Sequence, residues 1–118
     1  MSLKGRAYYD RQRRRAWERD KGLCVACGRT AESVHHRQGR SGPDPHRLAN
    51  LLTVCGDGVR GCHGLLHGHP SAAYAQGRMV PRLGVLTPED TPVLTRSGWV
   101  LYDNDGGITA TTPIKETA

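Results

Sequence analysis

Four cysteines constrain this chain more than any other feature. Its 118 residues include no Phe and only 5% aromatic residues, so material for a large apolar core is scarce and a staple is needed. Cys24-Val25-Ala26-Cys27 has the spacing at which two thiolates turn back onto one tetrahedral ion. Cys55 and Cys62 form the natural other half, although six residues separate them. Disulfides would suit a secreted chain, but no apolar stretch follows the basic N-terminus, and Asp10, Glu18 and Asp20 do not fit a transit peptide. The expectation is therefore one structural Zn2+ held by Cys24, Cys27, Cys55 and Cys62, in a chain that works in a reducing compartment.

Around these cysteines the local patterns point to an α+β fold. Residues 4–20 lack Gly and Pro after Gly5, are rich in Arg, Ala and Glu, and stop at Gly22, which predicts a helix with Tyr8, Ala16 and Trp17 buried beside the first cysteine pair. Residues 32–36 and 51–54 are of strand length, and the Gly- and Pro-rich residues 38–47 between them form a loop. A short helix is expected from Cys62 to His67, ended by Gly68 and Pro70. Beyond Arg78, prolines punctuate β-prone pieces, and residues 98–102 and 108–110 flank the turn 103–107 as a hairpin. That turn is acidic but lacks the alternating ligands and distal Glu of a calcium loop. The chain thus divides into residues 1–78 and a short β-hairpin region, 79–118, that packs on the first part or docks a partner.

A net charge of +6 and a pI near 9.6 favour a polyanionic partner. Arg13, Arg14, Arg15 and Arg19 crowd one short segment with Arg11 and Lys21, where they either contact phosphates or form a solvated face. Arg37 and Arg40 stand at the same choice. No apolar run is long enough to span a membrane.

The histidines carry the chemistry. His35 and His36 are adjacent on a strand, so their side chains leave on opposite faces, and one can bind a metal while the other stays free. His63 and His67 lie four apart and share a helical face. His46, in the Pro-rich loop, and His69 are expected at the surface. Clustered imidazoles of this kind suit phosphodiester hydrolysis, in which a cation polarises the phosphate and a neutral imidazole takes a proton from water.

Arg19-Asp20, Cys24-x-x-Cys27, Val34-His35-His36, Asn50-Leu51, Cys62-His63 and His67 occur in an order and spacing that resembles the HNH endonucleases, whose ββα-metal motif runs strand, loop, strand, helix. The resemblance covers roughly residues 15–69, and the six residues inside the second cysteine pair depart from the family's usual two. It implies that His36 is the general base and that Asn50 braces the loop so that His36 is aimed. It also implies that His35, His63 and His67 hold a catalytic Mg2+, Mn2+, Ni2+ or Zn2+; all-histidine ligation leans toward a transition metal. The activity implied is a DNA endonuclease or nickase leaving 5′-phosphate and 3′-hydroxyl ends. Its setting would be the cytoplasm of a bacterial or phage-infected cell, with terminase subunits as partners in phage DNA packaging. Two other readings are a non-catalytic zinc module that binds nucleic acid without using His36, and a toxin or restriction-type nuclease.

Overall fold

With Gly5 preceding it and no Pro within it, the first segment winds into α1, Arg6–Arg19, in the computed structural model, which describes residues 5–113. Lys4, the expected first helical residue, lies outside the described residues. The helix ends where Asp20 N donates to Ala16 O, and Lys21 and Gly22 then take left-handed backbone, at φ 57° and 71°, that turns the chain into the first cysteine pair.

Strands β1, Ser33–His36, and β2, Leu51–Val54, pair antiparallel, with Val34 opposite Thr53, His35 opposite Leu52 and His36 opposite Leu51. Paired residues share a face and neighbours alternate, so this register sorts the side chains. Val34 and Leu51 pack with Ala16, Leu48 and half-buried Trp17, under α1. Leu52 and Val54 face the other way, into a cluster with Cys24, Val25 and Leu66. All four residues of β2 are buried because both of its faces are covered. The buried residues of α1 are Ala16 and Gln12, with Tyr8 and Trp17 only half-buried; the helix packs on this hairpin, and its Ala16 and Trp17 lie in a different apolar cluster from Cys24.

After β2 come α2, Gly61–Gly68, and α3, Pro70–Ala75. Pro70, read from the sequence as a stop, instead occupies the first turn of α3, where its missing N–H is no loss. A second, three-stranded antiparallel sheet follows: β3, Val93–Thr95, β4, Gly98–Tyr102, and β5, Ile108–Ala110. The β4–β5 turn is held by Asp103, whose Oδ1 accepts from Asp105 N and Gly107 N. Val93, Val100 and Tyr102 join the Cys24–Leu52 cluster, so this sheet packs on the cysteine-bearing part. Among the described residues no helix is long and apolar enough to cross a membrane.

Two arginines expected to face phosphate are interior instead. The Arg19 guanidinium, 1% exposed, pairs with Asp20 at 2.8 Å, donates to Leu48 O and Leu51 O, and lies 3.9 Å from the Tyr102 ring centre. It ties α1 to β2 and β4. Arg37 is 1% exposed and donates to the carbonyls of Ala49, Gly77, Pro88 and Thr91, which belong to three otherwise separate stretches of chain. Each commits four of its five N–H donors to these partners, and both guanidinium groups are buried away from the surface a nucleic acid would meet. Arg37→Met, which strands these carbonyls, should lower stability by about 3–5 kcal/mol in urea unfolding. A loss below about 1 kcal/mol would show that the buried fork is dispensable.

Candidate metal centres

The four thiols converge. Cys24, Cys27, Cys55 and Cys62 each offer Sγ within 4.8 Å of the others, and Cys27 and Cys55 stand 3.6 Å apart. Tetrahedral Zn–S bonds of about 2.3 Å put sulfurs about 3.8 Å apart, so the cluster has the dimensions of a four-cysteine zinc site. The six residues between Cys55 and Cys62 fit because they fold into a tight turn. Gly56 sits at φ 78°, where a Cβ would collide with the Arg60 carbonyl, and Cys62 N reaches back to Cys55 Sγ at 3.4 Å. Burial raises the Cys24 thiol, but backbone N–H groups of Cys55, Cys27 and Ala26 outweigh it and bring the thiol down to about 7. Burial and the neighbouring sulfurs of Cys55 and Cys27 drive Cys62 upward. Four sulfurs this close cannot all ionise without a cation between them, and the donor set is the one zinc prefers.

A second cluster forms beside it. His35, His63 and His67 each offer a ring nitrogen within 4.8 Å of the others. The β1–β2 register explains why: His35 shares the face of Leu52, toward α2, and α2 presents His63 and His67 one turn apart. His35 is buried, His63 half-buried and His67 exposed, so the cluster opens toward solvent.

Hydrogen bonds set the tautomers of two of these rings. His35 Nε2 lies 2.9 Å from the carbonyl of Arg78, which can only accept, so Nε2 carries the hydrogen and Nδ1 keeps its lone pair. Ser33 Oγ lies 2.8 Å from the Gly56 carbonyl and 2.7 Å from His63 Nδ1. The single hydroxyl hydrogen must point at the carbonyl, since two acceptors would otherwise face each other. His63 Nδ1 therefore donates, and Nε2 keeps its lone pair. An imidazole whose far nitrogen is held by a carbonyl or hydroxyl is the usual second layer of a metal site. Burial, with His63 and His67 nearby, pushes His35 down to about 4, against the Arg78 carbonyl; burial and His67 lower His63. Both are neutral at pH 7 and able to ligate.

Neither Ser33 nor the Arg78 carbonyl stood out in the sequence. Ser33→Ala should weaken divalent-metal binding by about 10- to 100-fold in a competition titration while leaving the melting temperature of the zinc-loaded protein nearly unchanged. Unaltered affinity would show that the Ser33 contact does not govern the His63 ring.

His36 leaves β1 on the opposite face. It meets Tyr9 of α1, at 5.7 Å between ring centres, and His46, whose Nδ1 lies 2.9 Å from His36 Nε2. His46 is thus not a surface residue: it is 5% exposed, covered by Tyr8 and Tyr9. Burial, then the Arg40 and His46 charges, push His36 down to about 3, so its ring is neutral at pH 7. Asn50 is buried, and its amide ties the loop together: Oδ1 accepts from Gln38 N, and Nδ2 donates to Gly39 O and Pro45 O. Arg13 and Arg40 both lie against the Tyr9 ring, at 5.6 and 5.0 Å, which brings two cations to the His36 side. Arg14 and Arg15 are exposed on α1, and His69 is exposed after α2. No family model, curated protein or solved structure matches the chain.

Proposed function

We propose that this chain is a metal-dependent DNA endonuclease or nickase of the HNH type. The observation that carries the reading is the convergence of His35, His63 and His67, two with hydrogen-bonded far nitrogens, with His36, the last residue of β1, directly following His35. His35, His63 and His67 would hold the divalent ion, with the three-nitrogen set favouring Mn2+, Ni2+ or Zn2+ over Mg2+. When bound, that ion supplies positive charge to the phosphate oxygens as charge develops on them.

The chain's own groups do the rest. Neutral His36 accepts a proton from water, and the water oxygen bonds to phosphorus as the bond from phosphorus to O3′ breaks. O3′ takes up a proton from solvent, leaving 3′-hydroxyl and 5′-phosphate ends. Asn50 keeps the loop after His36 in one arrangement, so the base does not have to be positioned anew at each turnover. Arg13 and Arg40 beside Tyr9, with Arg14 and Arg15 exposed further along, supply cations for the flanking phosphates. Cys24, Cys27, Cys55 and Cys62, holding zinc, fix the start of α2 and hence His63.

Duplex binding and cleavage report on different residues. Arg13→Ala/Arg14→Ala/Arg15→Ala should weaken binding to all sequences alike, and the slope of log K against log salt should fall by about 0.9 for each phosphate no longer neutralised. An unchanged slope would assign these side chains to solvent. Supercoiled plasmid should be nicked on adding Mn2+, Ni2+ or Zn2+ and spared by chelator; binding without cleavage under every metal would favour a non-catalytic zinc module.

A further inference from the structure

We infer that His46 is a positioning residue that fixes the tautomer and aim of His36, an assignment that rests on the nuclease reading. The contact between them is 2.9 Å, from His36 Nε2 to His46 Nδ1, and needs one hydrogen and one lone pair. Neutral imidazole carries its hydrogen mainly on Nε2. With both rings in that form the contact assembles directly: His36 donates, His46 accepts, and His36 Nδ1 is left with a lone pair for water. The opposite direction would require both rings to adopt the less common form.

His46 is well placed to impose this. It lies on a Gly- and Pro-rich loop, yet it is 5% exposed and held from several sides. Tyr9 stacks on its ring at 4.4 Å and 32°. Gln12 Nε2 donates to its carbonyl at 3.1 Å, and Asn50 Nδ2 donates to the preceding carbonyl, Pro45 O, at 2.8 Å. Asn50 Oδ1 also receives Gln38 N, two residues after His36. One amide therefore ties down the chain beside both histidines. Such bracing is what a base needs if its ring is to stay oriented while it gains and loses a proton. Tyr8, whose hydroxyl donates to Asp44, closes the outer side of the His46 ring at 6.4 Å.

The test uses the zinc-loaded, full-length protein and three variants: His46→Ala, His46→Asn and His36→Ala. The Asn side chain keeps an acceptor at the position of Nδ1. His46→Ala should lower kcat for plasmid nicking about 10- to 100-fold with KM for DNA unchanged, and His46→Asn should recover most of that loss. Nitrogen-15 NMR of the imidazoles should show His36 protonated at Nε2 in wild type and in His46→Asn, and a tautomer mixture in His46→Ala. Wild-type His36 protonated at Nδ1, or a His46→Ala enzyme with wild-type kcat while His36→Ala is inactive, would overturn the His46 assignment and leave the nuclease reading intact. If His46→Ala fails to fold, the wild-type spectrum and the His46→Asn rates still decide. A wild type that cleaves no DNA with any metal would overturn the nuclease reading, and with it the catalytic use of this contact, whatever the spectrum shows.

Discussion

Cys24→Ser should give an unfolded or aggregated chain that retains no zinc. Cys24 is fully buried at the join between the cysteine cluster and the main apolar cluster, beside Val25, Leu52 and Val93. Structural zinc contributes about 10–16 kcal/mol in small modules, at or above the whole net stability of a domain this size. The apolar core cannot replace it: the main cluster holds few large side chains, and the β1–β2 hairpin draws its second layer from Ala16, Val34, Leu48, Leu51 and Trp17. Losing one thiolate also leaves three sulfurs around a poorly held ion, and Cys55 and Cys62 would no longer pin the start of α2. Circular dichroism melting and metal analysis decide the matter. A variant with wild-type melting temperature and one zinc per chain would show that the four thiols are not the staple.

Much of the scaffold was legible because its signals are local. Strands β1 and β2, the first helix, α2 and the β4–β5 hairpin each follow from short patterns of apolar residues and Gly or Pro boundaries. Two elements were not. α3 begins at Pro70, and proline marks a helix start as readily as a helix end, so its meaning depended on Ala72, Ala73 and Tyr74 continuing the turn. β3 has three residues, too few to show a period, and becomes a strand only because β4 pairs with it.

The site divides in the same way. Spacing alone pointed to the convergent cysteines, and alternation on β1 separated His35 from His36. What failed was inference from charge and composition. Arg19 and Arg37 read as surface cations, yet the acceptors that draw Arg37 inward come from residues 49, 77, 88 and 91, and no local pattern signals so distributed a site. His46 read as exposed because Gly42, Pro43 and Pro45 precede it, whereas α1, more than thirty residues earlier, supplies the Tyr9 and Gln12 that cover it. The groups that hold the far nitrogens, Ser33 and the Arg78 carbonyl, likewise become visible only once β1, α2 and the chain after α3 lie together.

His36→Ala should slow DNA cleavage by about 10²–10⁴-fold, the range of a positioned general base, while leaving folding, zinc content and DNA affinity close to wild type. The separation is expected because His36 lies on the opposite face of β1 from the cation cluster and is only half-buried, so its removal disturbs neither the thiols nor His35, His63 and His67. His35→Ala should behave differently: it removes a buried nitrogen from the cluster, lowers affinity for the added divalent ion, and is partly rescued by excess metal. The deciding measurement is the plasmid-nicking rate of wild type and His36→Ala, matched for folding and zinc content, across Mg2+, Mn2+, Ni2+ and Zn2+. Wild type should nick with at least one of these ions, and His36→Ala should be slower by about two orders of magnitude or more; a folded, metal-loaded His36→Ala protein that cleaves as fast as wild type would contradict the assignment of His36 as the base.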